Sequence, residues 1–117
     1  MLNKTGMHPS FHSYLPQLKQ VFCKYKVKNA YVFGSVLTDG FNQNSDLDFV
    51  INFIDYSDPL EVGESIWNLE EELEKLTARK IDLLTERSLK NPYFIQELNN
   101  TKQLVYEYQA PNKFISF

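Results

Sequence analysis

The stretch Val32-Phe33-Gly34-Ser35 through Ser45-Asp46-Leu47-Asp48-Phe49-Val50-Ile51 decides the fold. It is an apolar run closed by Gly-Ser, then a polar loop, then a second apolar run that opens on two aspartates one residue apart. A β-strand turns alternate side chains to opposite faces. Asp46 and Asp48 therefore belong on one face of the second run, and Leu47, Phe49 and Ile51 on the other. Two carboxylates held side by side repel. At an effective dielectric near 20, unit charges about 4 Å apart cost roughly 4 kcal/mol. Stability does not call for such a pair, whereas a hard divalent cation such as magnesium, which favours oxygen ligands, turns the repulsion into attraction. Gly34 and Ser35 supply the complementary half. Glycine lets a backbone approach a ligand closely, N–H groups in a tight turn form an anion-binding nest, and a serine hydroxyl adds a donor. Metal ligands beside a phosphate cradle describe a nucleotide site that handles phosphoryl oxygens through a cation.

On the N-terminal side, Leu15, Leu18, Phe22 and Tyr25 recur at helical spacing and predict a helix from about Ser13 to Lys26. Pro16 falls in its first turn, where a missing N–H costs nothing. Cys23, beside that stripe, reads as a small buried or half-buried filler. His8 and His12, before or at the helix start, lack a spacing partner for metal binding. Ala30-Tyr31-Val32-Phe33 is predicted as strand one. The connection from Val36 to Ser45 is rich in turn and cap formers, and its apolar members Val36, Leu37 and Phe41 suit a short helical turn packed on the sheet.

Strand two is predicted from Asp46 to about Ile54. Asp58, Pro59 and Glu61 form a helix start, and Val62, Ile66, Leu69, Leu73 and Leu76 give a stripe that predicts a helix from Pro59 to about Thr77. Glu61, Glu64, Glu70, Glu71, Glu72 and Glu74 fall mostly off the stripe and read as a solvated face. Lys80 to Thr85 is strand three. A strand, a helix and a strand in this order favour a parallel right-handed crossover, which places strand three beside strand two and Asp82 near Asp46 and Asp48. An aspartate among Ile81, Leu83 and Leu84 needs that acidic site as its partner, or else is a salt-bridged or edge aspartate near Arg79, Lys80 or Arg87. Asn91-Pro92 opens a short helix through Leu98, and alternation over 102–108 predicts a fourth short strand. The expected fold is α+β (α/β): a small mixed sheet with helices packed on it, in the order α-β-α-β-α-β plus a C-terminal helix and a short strand.

The length fits one domain over residues 1–117, with a core at about 15–108, a lead-in at 1–12 and an aromatic tail at 109–117 suited to dock on its own domain or on a partner. A net charge of −3 argues against direct nucleic-acid binding, which needs a basic face. One cysteine excludes an intrachain disulfide and fits a reducing compartment. With no apolar run long enough for a bilayer and no signal-peptide core at Met1–Gly6, a cytoplasmic protein is expected.

Gly34-Ser35, ten intervening residues and Asp46-Leu47-Asp48 together resemble the signature of the DNA polymerase beta-type nucleotidyltransferase superfamily. The small size is similar to its minimal nucleotidyltransferase (MNT) branch, many members of which are antitoxins paired with HEPN-domain toxins. The resemblance implies the transfer of AMP from ATP to a hydroxyl, with two magnesium ions held by Asp46, Asp48 and Asp82 and the terminal phosphates held by Gly34 and Ser35. Asp82 matches the third carboxylate, whose usual role includes activating the nucleophile. It implies a tyrosine of a partner HEPN toxin as acceptor, presented through a hetero-oligomer or homodimer, since a bare core lacks a substrate domain. The alternatives are a catalytically idle antitoxin that acts by contact and a small-molecule nucleotidyltransferase. One departure stands out: many relatives of this kind carry arginine in the loop after Gly-Ser, whereas residues 36–45 hold no Lys or Arg and Thr38 stands in its place.

Overall fold

The computed structural model describes residues 9–109. A 3-10 turn, Pro9–Tyr14, leads into helix α1, Leu15–Lys24. Leu18 and Phe22 lie four positions apart on one helix face, and both are fully buried. The helix is shorter than predicted at both ends. The 3-10 turn carries Phe11 into the core, and Lys26, with a left-handed φ of 61°, turns the chain out of the helix. Cys23 is exposed, which corrects the expected filler role. It follows Phe22 by one residue, about 100° around the helix, so burying Phe22 turns it outward. His12 is exposed, whereas His8, the start of the lead-in and the tail from residue 110 lie outside the described residues.

Strand β1 runs Val27–Phe33, β2 Leu47–Phe53, β3 Ile81–Thr85 and β4 Gln103–Glu107. They form one mixed sheet in the order β3-β2-β1-β4. β1 is antiparallel to both β2 and β4, and β2 is parallel to β3, the pairing expected of a strand-helix-strand unit. β1 begins earlier than predicted because the turn at Lys26 delivers Val27, fully buried, opposite Phe53.

Helix α2, Pro59–Thr77, matches its predicted bounds. Its Leu69 and Leu73 join Leu18, Phe22, Ala30, Val32, Leu47, Phe49, Ile51, Ile81 and Val105 in a single core on one face of the sheet. Phe49 is the hub: the Phe22 ring stands 5.5 Å from it at 73°, and the Phe11 ring 6.5 Å away. Edge-on packing of this kind adds to the gain from burial alone. Helix α3, Pro92–Thr101, lies on the opposite face. There Phe94 packs edge-on against Phe33 at 6.0 Å, and Lys102 Nζ sits 4.2 Å over the ring of Tyr31. Most of the α2 glutamates are exposed, but Glu72 is half-buried, paired with Lys24 at 2.9 Å and accepting from the Tyr25 hydroxyl. Among the described residues no helix is long and apolar enough to cross a membrane.

Asp58 caps α2, its Oδ1 accepting from the backbone N–H of Leu60 at 3.1 Å and of Glu61 at 3.3 Å. Asp58→Ala is expected to cost about 1 kcal/mol in urea unfolding, the usual loss for an N-cap carboxylate. An unchanged midpoint would show that water caps this end equally well.

Candidate active site

Asp48 lies on β2, a strand with neighbours on both sides. Its register partner on β1 is Phe33, the last residue before the Gly-Ser bend, and its partner on β3 is Asp82. Residues opposite one another in a ladder share a face, so Phe33, Asp48 and Asp82 line the face that carries α3. The predicted meeting of Asp82 with the second-strand aspartates thus takes its tightest form at Asp48. No Lys or Arg among the described residues forms an ion pair with Asp82, so a salt-bridged Asp82 finds no support. Strand β3 is an edge strand, however, and Asp82 is exposed on it, as the edge reading expects.

Asp46 precedes β2 instead of starting it, and it is exposed. Its carbonyl accepts from the Ser35 hydroxyl at 3.4 Å, so the second half of the sequence signature is tied to the first through Asp46 itself.

Gly34 opens a 3-10 turn, Gly34–Leu37, with φ of 80°. Only glycine takes this conformation at little cost. A Cβ built there would run into Oδ2 of Asp48. The carboxylate thus lies directly against a stretch of backbone with no side chain. Val36 of the same turn is fully buried, and Phe41 is 4% exposed, so the bend is anchored in the core on its far side. Thr38, where an arginine is common in the family it resembles, instead closes the turn. Its hydroxyl donates to Ser35 C=O at 2.8 Å and accepts from Gly40 N–H at 3.2 Å.

Burial pushes the Asp48 carboxyl above the usual carboxylate range, and the like charges of Asp82 and Asp46 push it further. Glu70 on α2 is raised as well, by burial first, then by Glu74 and Asp82, so the negative field extends past the edge strand. Among the described residues no three His, Cys, Asp or Glu side chains close into a group that could hold a metal ion. Asp48 feels the charge of both Asp82 and Asp46. The chemistry of the three aspartates suits a hard cation: oxygen donors alone, one of them half-buried among like charges and laid against bare backbone.

The raised pKa of Asp48 has a measurable consequence for stability. The folded chain holds the proton at this carboxyl more tightly than the unfolded chain, so stability is lost as pH rises through the folded-state pKa. Without added divalent cation, Asp48→Asn is expected to melt a few degrees above wild type at neutral pH. The gap should close as pH falls below the ordinary carboxylate range and the wild-type carboxyl protonates. Partial exposure keeps the effect small. A gap that stays constant across the series would refute electrostatic strain at Asp48.

Sequence reasoning named Arg79 only as a candidate partner of Asp82 and missed its place under the loop. Its Nη1 donates to the carbonyls of Asn42 at 2.6 Å and Ser45 at 2.9 Å, and its guanidinium carbon stands 4.2 Å from the centre of the Phe41 ring. The loop without a cation of its own is therefore held by one from the entry to β3. Nothing in local composition marks this contact.

A family model described as Polymerase beta, Nucleotidyltransferase matches residues 16–110, which span the bend, all three aspartates and the whole sheet. The chain belongs to the polymerase beta-type nucleotidyltransferases. Among curated proteins, this nucleotidyltransferase is 36% identical over 83 residues to a “Putative protein adenylyltransferase” of Methanocaldococcus jannaschii, covering 71% of this chain and 79% of that protein. Among solved structures it is similar to a toxin-antitoxin with AMP-PNP (TM-score 0.63, 19% identity, 87% of this chain and 80% of that one). It is also similar to a chain from the complex of a tri-AMPylated Shewanella oneidensis HEPN toxin with MNT antitoxin (TM-score 0.59, 16% identity, 90% of this chain and 79% of that one). At these identities the likeness shows that this nucleotidyltransferase shares their fold.

Proposed function

We propose that this nucleotidyltransferase transfers AMP from ATP to a tyrosine hydroxyl of a partner HEPN toxin, and so acts as an antitoxin in a hetero-oligomer with it. The observation that carries the reading is the register pair Asp48–Asp82, with Asp46 beside it and the bare backbone of Gly34 against the Asp48 carboxylate. The adenylyltransferase name of the curated relative and the AMPylated toxin in the similar complex support the choice of donor and acceptor.

In this reaction the phenol oxygen bonds to the α-phosphorus of ATP. The bond from that phosphorus to the oxygen shared with the β-phosphorus breaks, and pyrophosphate leaves. The phenol proton passes to solvent by way of Asp82, an exposed carboxylate. Asp46, Asp48 and Asp82 would hold two magnesium ions, which when bound offset the triphosphate charge and polarise the phosphoryl oxygens. The backbone of the Gly34 turn and the Ser35 hydroxyl would hold the terminal phosphates, while the missing side chain at Gly34 leaves room for the Asp48 carboxylate against the bend. In-line displacement then depends on positioning and charge neutralisation.

A second reading, an antitoxin that neutralises by contact alone, draws on the absence of Lys and Arg from residues 36–45 and on the open arrangement of the carboxylates. Incubation of the purified pair with magnesium and ATP labelled at the α-phosphorus is expected to label the toxin, while ATP labelled at the γ-phosphorus leaves it unlabelled. Label from the γ position would mean phosphorylation, and no label from either would favour the contact-only reading.

A further inference from the structure

We propose that Arg79 is the positioning residue for Asp46, holding the loop that delivers this carboxylate to its two partners. The inference rests on the transfer reading above and deepens it. Asp46 is the only one of the three aspartates that lies outside a strand, so no ladder fixes its backbone. Instead, the peptide groups on either side of it are bonded to two adjacent residues. Ser45 C=O accepts from Arg79 Nη1 at 2.9 Å, and Leu47 N–H donates to Lys80 C=O at 3.0 Å.

The same Nη1 takes in Asn42 C=O at 2.6 Å, so a single nitrogen gathers both ends of the turn from Asn42 to Ser45. That turn is closed internally by Ser45 N–H to Asn42 C=O at 3.0 Å and by Asn42 N–H to the Ser45 hydroxyl at 3.0 Å. It moves as one piece, and Arg79 decides where the piece sits. The guanidinium lies on Phe41, itself a core residue, which ties the turn to the hydrophobic interior.

Two observations separate this role from simple charge balance. Arg79 forms no ion pair among the described residues, so its effect on Asp46 runs through backbone carbonyls. Its Nε is buried without a hydrogen-bond partner among the described residues, a desolvation cost accepted to keep the guanidinium where it is. Lysine cannot substitute, because an ammonium lacks the planar group that stacks on Phe41 while donating to two carbonyls.

The test uses the full chain with its toxin partner, comparing wild type with Arg79→Lys and Arg79→Gln well below their melting midpoints. Manganese binding is read by electron paramagnetic resonance with a non-hydrolysable ATP analogue present, alongside kcat and KM for ATP. Arg79→Lys is expected to weaken manganese binding and lower kcat by about 10–100-fold, the range seen when a residue that orients a metal ligand is lost. KM for ATP should move much less, and Arg79→Lys added to Asp46→Asn should cost little more in manganese binding. Wild-type manganese affinity and kcat in both Arg79 variants, or losses that only follow the unfolded fraction, would overturn the role of Arg79 and leave the transfer reading standing. A wild-type protein that neither binds manganese nor labels the toxin would overturn the transfer reading and this inference with it.

Discussion

Asp46→Asn is expected to lower transfer of AMP to the toxin by roughly 10³-fold, the scale of losing a group that stabilises transition-state charge directly. The fold should be indifferent. Asp46 is exposed, and its only hydrogen bond among the described residues is made by its backbone carbonyl to Ser35, which asparagine retains. An exposed substitution of this kind changes stability by about 0.5 kcal/mol or less. The substitution is isosteric, so a partner that docks on this surface should still dock. A large loss of transfer with an unchanged melting midpoint and intact complex formation would locate the defect in chemistry. Equal loss of transfer and of complex formation would mean that Asp46 is a docking residue. Asp48→Asn should also abolish transfer, but with a pH-dependent gain in melting temperature, because of the three aspartates only Asp48 is both half-buried and pressed by two like charges.

Gly34→Ala should have the largest effect on the fold. Any L-residue at φ of 80° is strained, and here the new Cβ also meets the carboxylate of Asp48. Backbone strain and forced overpacking together are expected to cost about 2–4 kcal/mol in urea unfolding. Transfer should fall with it, since relief comes only by displacing the Asp48 side chain or opening the bend. A double-mutant cycle separates the two contributions. In an Asp48→Ala background the clash is gone and only the strain remains, so Gly34→Ala should cost about 1–2 kcal/mol less there than in wild type. An identical cost in both backgrounds would show that the bend is destabilised by φ alone and that Asp48 does not lie against it.

Much of this site was legible in the chain because parity carries it. Alternation placed Leu47, Phe49 and Ile51 inward, and the strand-helix-strand order brought Asp82 to the adjacent strand. Periodicity does not report register, however, and the direct opposition of Asp48 and Asp82 emerged only from the paired strands. Asp46 was read as the first residue of its strand because alternation looks the same one residue before a strand as within it. A lysine with positive φ at residue 26 has no compositional mark, so the early start of β1 was invisible. Cys23 was misplaced for a related reason: the apolar stripe shows which face is buried but not how wide it is. Arg79 bonds carbonyls 34 and 37 residues earlier in the chain, a contact set by how β3 docks beside β2 rather than by any neighbour in sequence. Likewise, nothing in residues 103–107 announced that β4 would take the far edge of β1.

Intact-mass and fragment analysis of the toxin, recovered from cells that co-express it with wild type or with Asp46→Asn, tests the central claim most directly. The expected result is a single-AMP or multiple-AMP adduct on tyrosine and restored growth with wild type, and neither with Asp46→Asn. Restored growth with both proteins and an unmodified toxin would contradict it.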